Sequence, residues 1–495
     1  MLILLAISPV LASELVRVDV PDHPQAIASS HLGSTLLGPP SDGTPYRPEP
    51  VPETTQAVGD GWTAIEAIDA IGAAPWHRAG ITGDGVKVAI FDIQWFGLER
   101  HPTLRAHTSH DCFAHRSCAL PIDTITPEFA FETGQHGIAC AEVIAAIAPD
   151  AELHLVRVNG LTALENAVEW AIREEVDLIS MSMSFFSESF YDGTGSINQA
   201  VDRLVEAGIL LVNSAGNYAK QHRSDTFSDP NFDGRHDFEW GSEYLPIYLP
   251  EGDNKVSLTW DEYRRCGTTD LDAYLYDDAG NLVARSRRTQ RIGDDACFPV
   301  ETLSARSEEA SWHYLVVHRR TGASPVDFKV MPRRGQVFEP TPAGSVTDPG
   351  SHPHVFTVGA VLADDYLIND AETFSSHGPT AGGAAKPDIS GPDGLSTSAY
   401  GQGRFYGTSA ATPAVAGALA LMLSEDPSLT PRDAARALQA SAISPDPVWS
   451  VQDPAVGAGK ARLPPLGDLD AGCGQSTPLL WLCFWMPLAA TRRRN

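Results

Sequence analysis

YGTSAATPAVAGALALML, residues 406–423, sets a Gly-Thr-Ser triplet directly before a run of small apolar residues. A serine in front of a helix is ordinarily an N-cap, its oxygen accepting a backbone N–H. The helix that follows is unusual, because it carries alanine and glycine where a core helix usually carries leucine. Ala414, Ala416, Gly417, Ala418 and Ala420 would let it pass close to its neighbours inside a core. A hydroxyl at its start would stand beside unpaired N–H groups and the positive end of the helix dipole. Ser409 is therefore a candidate for chemistry as well as for capping.

Working outward, the stretches around this helix alternate between two textures. VKVAIFD (86–92), ELHLVRV (152–158), VDLISMS (176–182), ILLVNSAG (209–216) and VFTVGAV (355–361) are short apolar runs with β-branched residues. TALENAVEWAIREE (162–175) and INQAVDRLVEAG (197–208) have helical spacing, and the second ends on a C-cap glycine. Strands alternating with helices predict an α/β fold, a parallel sheet covered by helices on both faces. The alternation stops near residue 219 and resumes near 343. In between, KVSLTW, LDAYLYD, LVARS, WHYLVVH and DFKV alternate with period two around turns. This predicts an inserted antiparallel β-sandwich over 219–342. A folded insert whose ends lie together is tolerated, because loop-closure cost grows only logarithmically with length.

The 495 residues exceed one ordinary core, so several domains are expected. Against 35 basic side chains stand 63 acidic ones, a net charge of −28. Such a surface repels phosphate backbones, which argues against nucleic acid as a partner. Residues 1–12, apolar and ending Val-Leu-Ala, read as a secretory signal without its basic leader; a buried strand is the alternative. Residues 13–60 are proline-rich, a linker or short pro-segment. Of seven cysteines, Cys112 with Cys118 and Cys266 with Cys297 suit disulfides in an exported protein, with connectivity left open. No CxxC or Cys/His quartet predicts a zinc site. The tail over 473–495 joins a cysteine, an apolar run from Leu479 to Ala490 and three arginines, and follows a linker at 446–472. It resembles the C-terminal sorting tails of some Gram-negative, especially myxobacterial, proteins. That resemblance implies an extracellular or cell-surface location with attachment through the tail; a plain apolar terminus is the alternative.

In open α/β sheets, function gathers at the carboxyl ends of strands. Asp92 closes the first apolar run, His136 opens HGIACAEVIAAIAPDAEL, and Asn217 ends NSAGN. Each alone reads as a cap, a locally bonded histidine or a turn residue. Together with Ser409 they stand in the chain order Asp, His, Ser found in subtilisin. The flanking text agrees: GVKVAIFD with HPTL, the histidine stretch, ISMSMS, NSAGN, FSSHGPTAGGAAKPD and YGTSAATPAVAG each resemble subtilase motifs. The chain thus resembles the subtilisin family of serine proteases in two blocks, 61–218 and 343–445, and the insert resembles β-sandwich modules of secreted bacterial proteases.

The resemblance implies hydrolysis of peptide bonds in protein or peptide substrates through an acyl-enzyme. Ser409 would be the nucleophile, His136 the general base and acid, and Asp92 the group that orients the imidazole. Asn217 and the Ser409 N–H would bind the oxyanion. Ser182, Met183 and Ser184 would offer an edge to the substrate backbone. Ser184 stands where the family usually has glycine, which would narrow the primary specificity pocket. No organic cofactor or catalytic metal is implied. Family members often carry structural calcium, for which Asp225–Asp233 and Asp270–Asp278 are candidate loops; plain solvated loops are the alternative. Three departures stand out. Ile93 and Gln94 follow Asp92 where the family has a hydroxyl residue and glycine, so a hydroxyl donor is lost. Ile138 replaces threonine after His136-Gly137. Cys140 lies on the histidine's helix, read as a small core residue, with a redox or inhibitory role as the alternative. The alternatives from other classes are an inactive relative that holds peptide or a partner, and the acid-acting relatives that use Glu, Asp and Ser.

Overall fold

The computed structural model describes residues 64–466, except 102–103, 105–106, 124–133, 264–266, 290–297, 324 and 445–451. The signal-like start, residues 13–60, the tail at 473–495 and the Cys266/Cys297 pair lie outside the described residues.

Among the described residues the main sheet has seven parallel strands: β1 (Lys87–Asp92), β2 (Thr108–Asp111), β3 (Glu152–Arg157), β4 (Leu178–Met181), β5 (Leu210–Ser214), β6 (Phe356–Leu362) and β7 (Ile389–Asp393). Their spatial order is β7-β6-β5-β4-β1-β3-β2. Five of them follow the apolar runs read from sequence; β2 and β7, the two edges, do not. Alternate side chains go to opposite faces. Val88 and Ile90 join a cluster with helices α1 (His136–Ile147) and α4 (Thr408–Glu425), while Ala89 and Phe91 join one with α2 (Leu161–Arg173) and α3 (Ser196–Glu206). The fold is the α/β arrangement expected, with helices on both faces.

α4 is the helix of the opening stretch. It is buried on all sides, from Thr408 to Leu423. Its small residues have a geometric cause. A Cβ on Gly417 would lie 2.9 Å from the Ile147 Cβ, so any larger residue would push α4 off α1. The same closeness recurs at Gly137, where a Cβ would meet Asp92 Cβ and the Trp95 ring at 2.8 Å.

Between β5 and β6 the chain forms two antiparallel sheets. One runs Val300–Ser307, Gly252–Trp260, Asp327–Pro332, Arg223–Thr226; the other runs Leu282–Ser286, Asp270–Tyr276, Ser311–Thr321, Leu245–Leu249, Gln336–Val337. Leu258, Trp260 and Phe328 from the first meet Leu271, Leu315 and Val317 from the second in a separate apolar cluster. Entry and exit run side by side: Val337 N–H donates to Lys220 O (3.0 Å) and Thr341 N–H to His222 O (2.8 Å). Part of the stretch read as a linker, 446–472, returns to the main body. Ala461 N–H bonds Ser390 O at 2.7 Å, and Ala461 and Leu463 lie in the main core. Cys112 and Cys118 form a disulfide, with Cα atoms 4.4 Å apart.

Candidate functional site

β1 delivers Asp92 to the carboxyl edge of the sheet, 1% exposed. Its Oδ1 accepts N–H bonds from Ile93 (2.7 Å) and Gln94 (3.0 Å). The backbone of the two residues that replace the family's hydroxyl pattern thus supplies two donors to the carboxylate. The other oxygen, Oδ2, accepts from His136 Nδ1 at 2.6 Å. A carboxylate acceptor places the proton on Nδ1 and turns Nε2 away from it. His136 is the first residue of α1, and Gly137 admits that helix against Asp92.

Ser409 is the second residue of α4, and Gly407 (φ 103°) holds the N-cap position. The serine is therefore inside the first turn and is not the cap, unlike the ordinary reading of such a residue. Four residues on stands Pro413, which has no N–H to return to the Ser409 carbonyl. Side chains take that carbonyl instead: Ser182 Oγ donates at 3.0 Å and Cys140 Sγ at 3.7 Å. Cys140 Sγ also lies 4.0 Å from His136 Nδ1. One sulfur therefore touches both the histidine and the serine residue, which fixes these two helix starts as neighbours. Burial pushes the Cys140 thiol up, so it stays protonated and acts as a weak donor.

Asn217 faces the same helix start. Its Oδ1 accepts from Thr408 N–H (3.0 Å) and from Thr408 Oγ–H (2.9 Å), and Gly216 N–H in turn donates to Thr408 Oγ1 at 3.2 Å. Two donors on one oxygen orient the amide and leave Nδ2 as its donating end. A Cβ on residue 407 would come within 2.8 Å of that Nδ2, so glycine is required there. Behind the loop, Asp393 accepts the Gly407 N–H at 2.9 Å. Burial, helped by the Glu372 charge, pushes this carboxyl up to about 8.

Ser182, Met183 and Ser184 continue from β4. Ser182 spends its hydroxyl on Ser409 O. Met183 O accepts from Asn213 Nδ2 (3.3 Å), and Ser184 Oγ accepts from Thr347 at 2.8 Å. Just beyond, Phe185 N–H bonds Asp348 O at 2.9 Å. Asp348 is itself buried, held by Ser189 and Asn198, and pushed up to about 6 by burial. Sequence reading passed over Thr408, Asp393 and Asp348. Thr408 carried a signal, as the middle of Gly-Thr-Ser. The two aspartates carried none, because the Gly407 amide that Asp393 accepts lies 14 residues on, and of the groups that hold Asp348 only Ser351 is near it in sequence.

The subtilase family model matches residues 83–232 and 334–468, more than half of the chain. The chain belongs to the subtilase family. Within this subtilase the match leaves out most of the antiparallel segment between the two blocks. A thermostable alkaline protease of Halalkalibacterium halodurans is 32% identical over 160 residues, which is 29% of this chain and 39% of that protein. Subtilisin amylosacchariticus of Bacillus subtilis subsp. amylosacchariticus is 30% identical over 179 residues, 33% of this chain and 42% of its own. The subtilase thus spans about two-fifths of the length of these relatives. The solved structure of the Clostridium perfringens CspB protease is similar in fold, with a TM-score of 0.55 at 14% identity, over 81% of this chain and 98% of that one.

Two groups of side chains among the described residues have metal-ligand spacing: Asp92, His136 and Cys140, and Asp270, Asp272 and Glu301. In the first, the imidazole and carboxylate already bond each other. Elsewhere in the antiparallel segment, residues 229–234 read Asp-x-Asn-x-Asp-Gly, the opening of a calcium loop. Sequence reading gave that loop only as part of Asp225–Asp233. Asp225 itself is taken by Arg223, at 2.6 and 2.8 Å.

Proposed function

We propose that this subtilase is an exported serine endopeptidase that cleaves peptide bonds in proteins or peptides. Ser409 attacks the carbonyl, and His136 takes its proton and returns it to the leaving amine. Asp92 holds the imidazole tautomer and stabilises the imidazolium. Asn217 Nδ2 and the Ser409 N–H receive the oxyanion. The backbone of Ser182–Ser184 pairs with extended substrate. The observation that carries this reading is the convergence of a buried carboxylate–imidazole pair on the N-terminus of a serine-bearing helix, with Cys140 Sγ touching both.

The same reading treats 61–218 and 343–445 as the catalytic domain, 219–342 as an inserted module, and 1–12 and 473–495 as export signal and surface anchor. Structural calcium belongs to it too. Asp229, Asn231 and Asp233 would hold the ion, with Asp237, whose buried Oδ2 has no partner among the described residues. The nearby Asp233 and Asp229 charges, after burial, push the Asp237 carboxyl up. A divalent ion would relieve that repulsion.

The test is labelling by a fluorophosphonate probe with mass mapping, together with casein hydrolysis, on the full chain and on Ser409→Ala. Labelling at Ser409 and a loss of about 10⁶ in turnover in the variant are expected. Equal rates end the protease reading. An unlabelled protein that still retains peptide supports an inactive binding relative instead. Cell fractionation of the full chain tests export and anchoring.

A further inference from the structure

β4 and β5 are neighbours, with Met181 opposite Asn213, and the chain leaves them through 182–185 and 214–217. These two segments leave the sheet as neighbours tied by the Asn213–Met183 bond, so they would stand as two walls on either side of a bound substrate. With Asn217 holding the scissile carbonyl and Ser182–Ser184 pairing with substrate, the side chain before the cut bond (P1) enters between the walls. An aromatic ring stands at the end of each wall. Phe186 and Tyr218 meet edge to face, 5.2 Å between centroids. The Tyr218 ring folds back over Gly216, coming within 2.5 Å of where a Cβ there would sit.

The antiparallel segment props this pair. The Arg333 guanidinium stacks on Phe186 at 4.9 Å, and Arg333 N–H is held by Lys255 O at 2.8 Å. Tyr263 Oη donates to Ser187 O at 3.1 Å, next to Phe186 in sequence. Ser187 has φ 64°, a left-handed conformation that serine adopts only when its surroundings hold it.

We propose that Phe186 and Tyr218 fill the end of the P1 crevice, restricting cleavage to small residues such as glycine, alanine and serine, and that Arg333 of the antiparallel segment positions Phe186 for this. The proposal rests on the protease reading above. It also gives the inserted segment a role in substrate choice, since it supplies the cation behind the wall.

The test uses the full chain and tetrapeptide p-nitroanilides that differ only at P1, alanine or phenylalanine, with fluorophosphonate labelling as the measure of an intact site. The parent is expected to favour alanine at least tenfold in kcat/KM. Phe186→Ala and Tyr218→Ala should each raise the phenylalanine-to-alanine ratio by about 10- to 100-fold. Arg333→Ala should raise it less, and Arg333→Lys should restore the parent ratio, because a cation over the ring returns. A parent that prefers phenylalanine, or ratios unchanged within about threefold in both aromatic variants that still label, overturns the proposal alone. Absence of both labelling and cleavage in the parent brings down the protease reading, and this proposal with it.

Discussion

Pro413 and Ser182 act as a pair across 231 positions of chain order, though neither is near the other in sequence. The proline withholds the N–H that would bond the Ser409 carbonyl, and the Ser182 hydroxyl replaces it. Ser182→Ala should leave that buried carbonyl with only the weak thiol of Cys140. A loss of about 1–2 kcal/mol in urea unfolding is expected, since an unmet buried acceptor costs its desolvation. An unchanged midpoint would show that the Ser182 hydroxyl does not stabilise this carbonyl. Asp393 makes a prediction in pH. Its folded carboxyl is pushed up to about 8 against an ordinary value of 3.8. Below pH 3.8 it is neutral in both states. Between 3.8 and 8 only the unfolded chain gives up the proton, so stability falls as pH rises, by up to about 1.4 kcal/mol per unit. Above 8 the loss is complete. Asp393→Asn keeps an acceptor for the Gly407 N–H and removes this slope. Its stability relative to the parent should therefore grow from pH 4 to 8, measured by chemical denaturation at stepped pH. Parallel curves would refute the assignment. The four proposed catalytic side chains were legible because each sits in a short stretch with its own local chemistry. Asp393 was not, because nothing around ISGPD tells that a helix N-cap will arrive at its carboxylate.

At the scale of elements, α1 and α4 carry His136 and Ser409 into one place by packing backbone close to backbone. Gly417 leaves no room for a Cβ, which would stand 2.9 Å from the Ile147 Cβ. Gly417→Val should separate the helices, costing about 1–3 kcal/mol by overpacking, and should lower kcat more than it raises KM. Adding Ile147→Ala should recover part of both losses, as neighbouring sites couple. Additive losses in the double variant would show that the two residues do not share this contact. Legibility also divided by element. β1, β3, β4, β5 and β6 are covered on both faces and read as apolar runs. β2 is Thr-Ser-His-Asp, an edge strand with partly exposed side chains. β7 contains Gly391 and Pro392, which the opposite edge accepts because no further strand needs the missing proline N–H.

At the scale of the molecule, a parallel-sheet body and an antiparallel segment each own an apolar cluster and are joined by two adjacent strands of chain. Their stabilities should respond to different variables. Calcium in the 229–237 loop would act on the antiparallel segment. Millimolar calcium is expected to raise its melting temperature, and EDTA to reverse this, by scanning fluorimetry that follows its tryptophans. The gain at a hundredfold excess over Kd is about 2.7 kcal/mol. Asp233→Asn should abolish the response, and a response that survives it would place the ion elsewhere. Buried His222 and His236, pushed down to about 3 and about 4 by burial, work in the opposite sense to Asp393. As pH falls below 6.5 the unfolded chain gains protons that the folded histidines refuse, so acid weakens the molecule.

Local chemistry settled much of this protein before any coordinate. Small residues after Gly-Thr-Ser demanded a closely packed helix, apolar runs demanded a covered parallel sheet, and period-two runs demanded antiparallel strands. These are short-range constraints, written within one turn or one strand. Which side chain supplies the Ser409 carbonyl, which carboxylate holds the Gly407 amide, and which ring meets Phe186 were decided only by tertiary structure. Such contacts join residues that chain connectivity leaves independent, and only the folded packing gives them a distance.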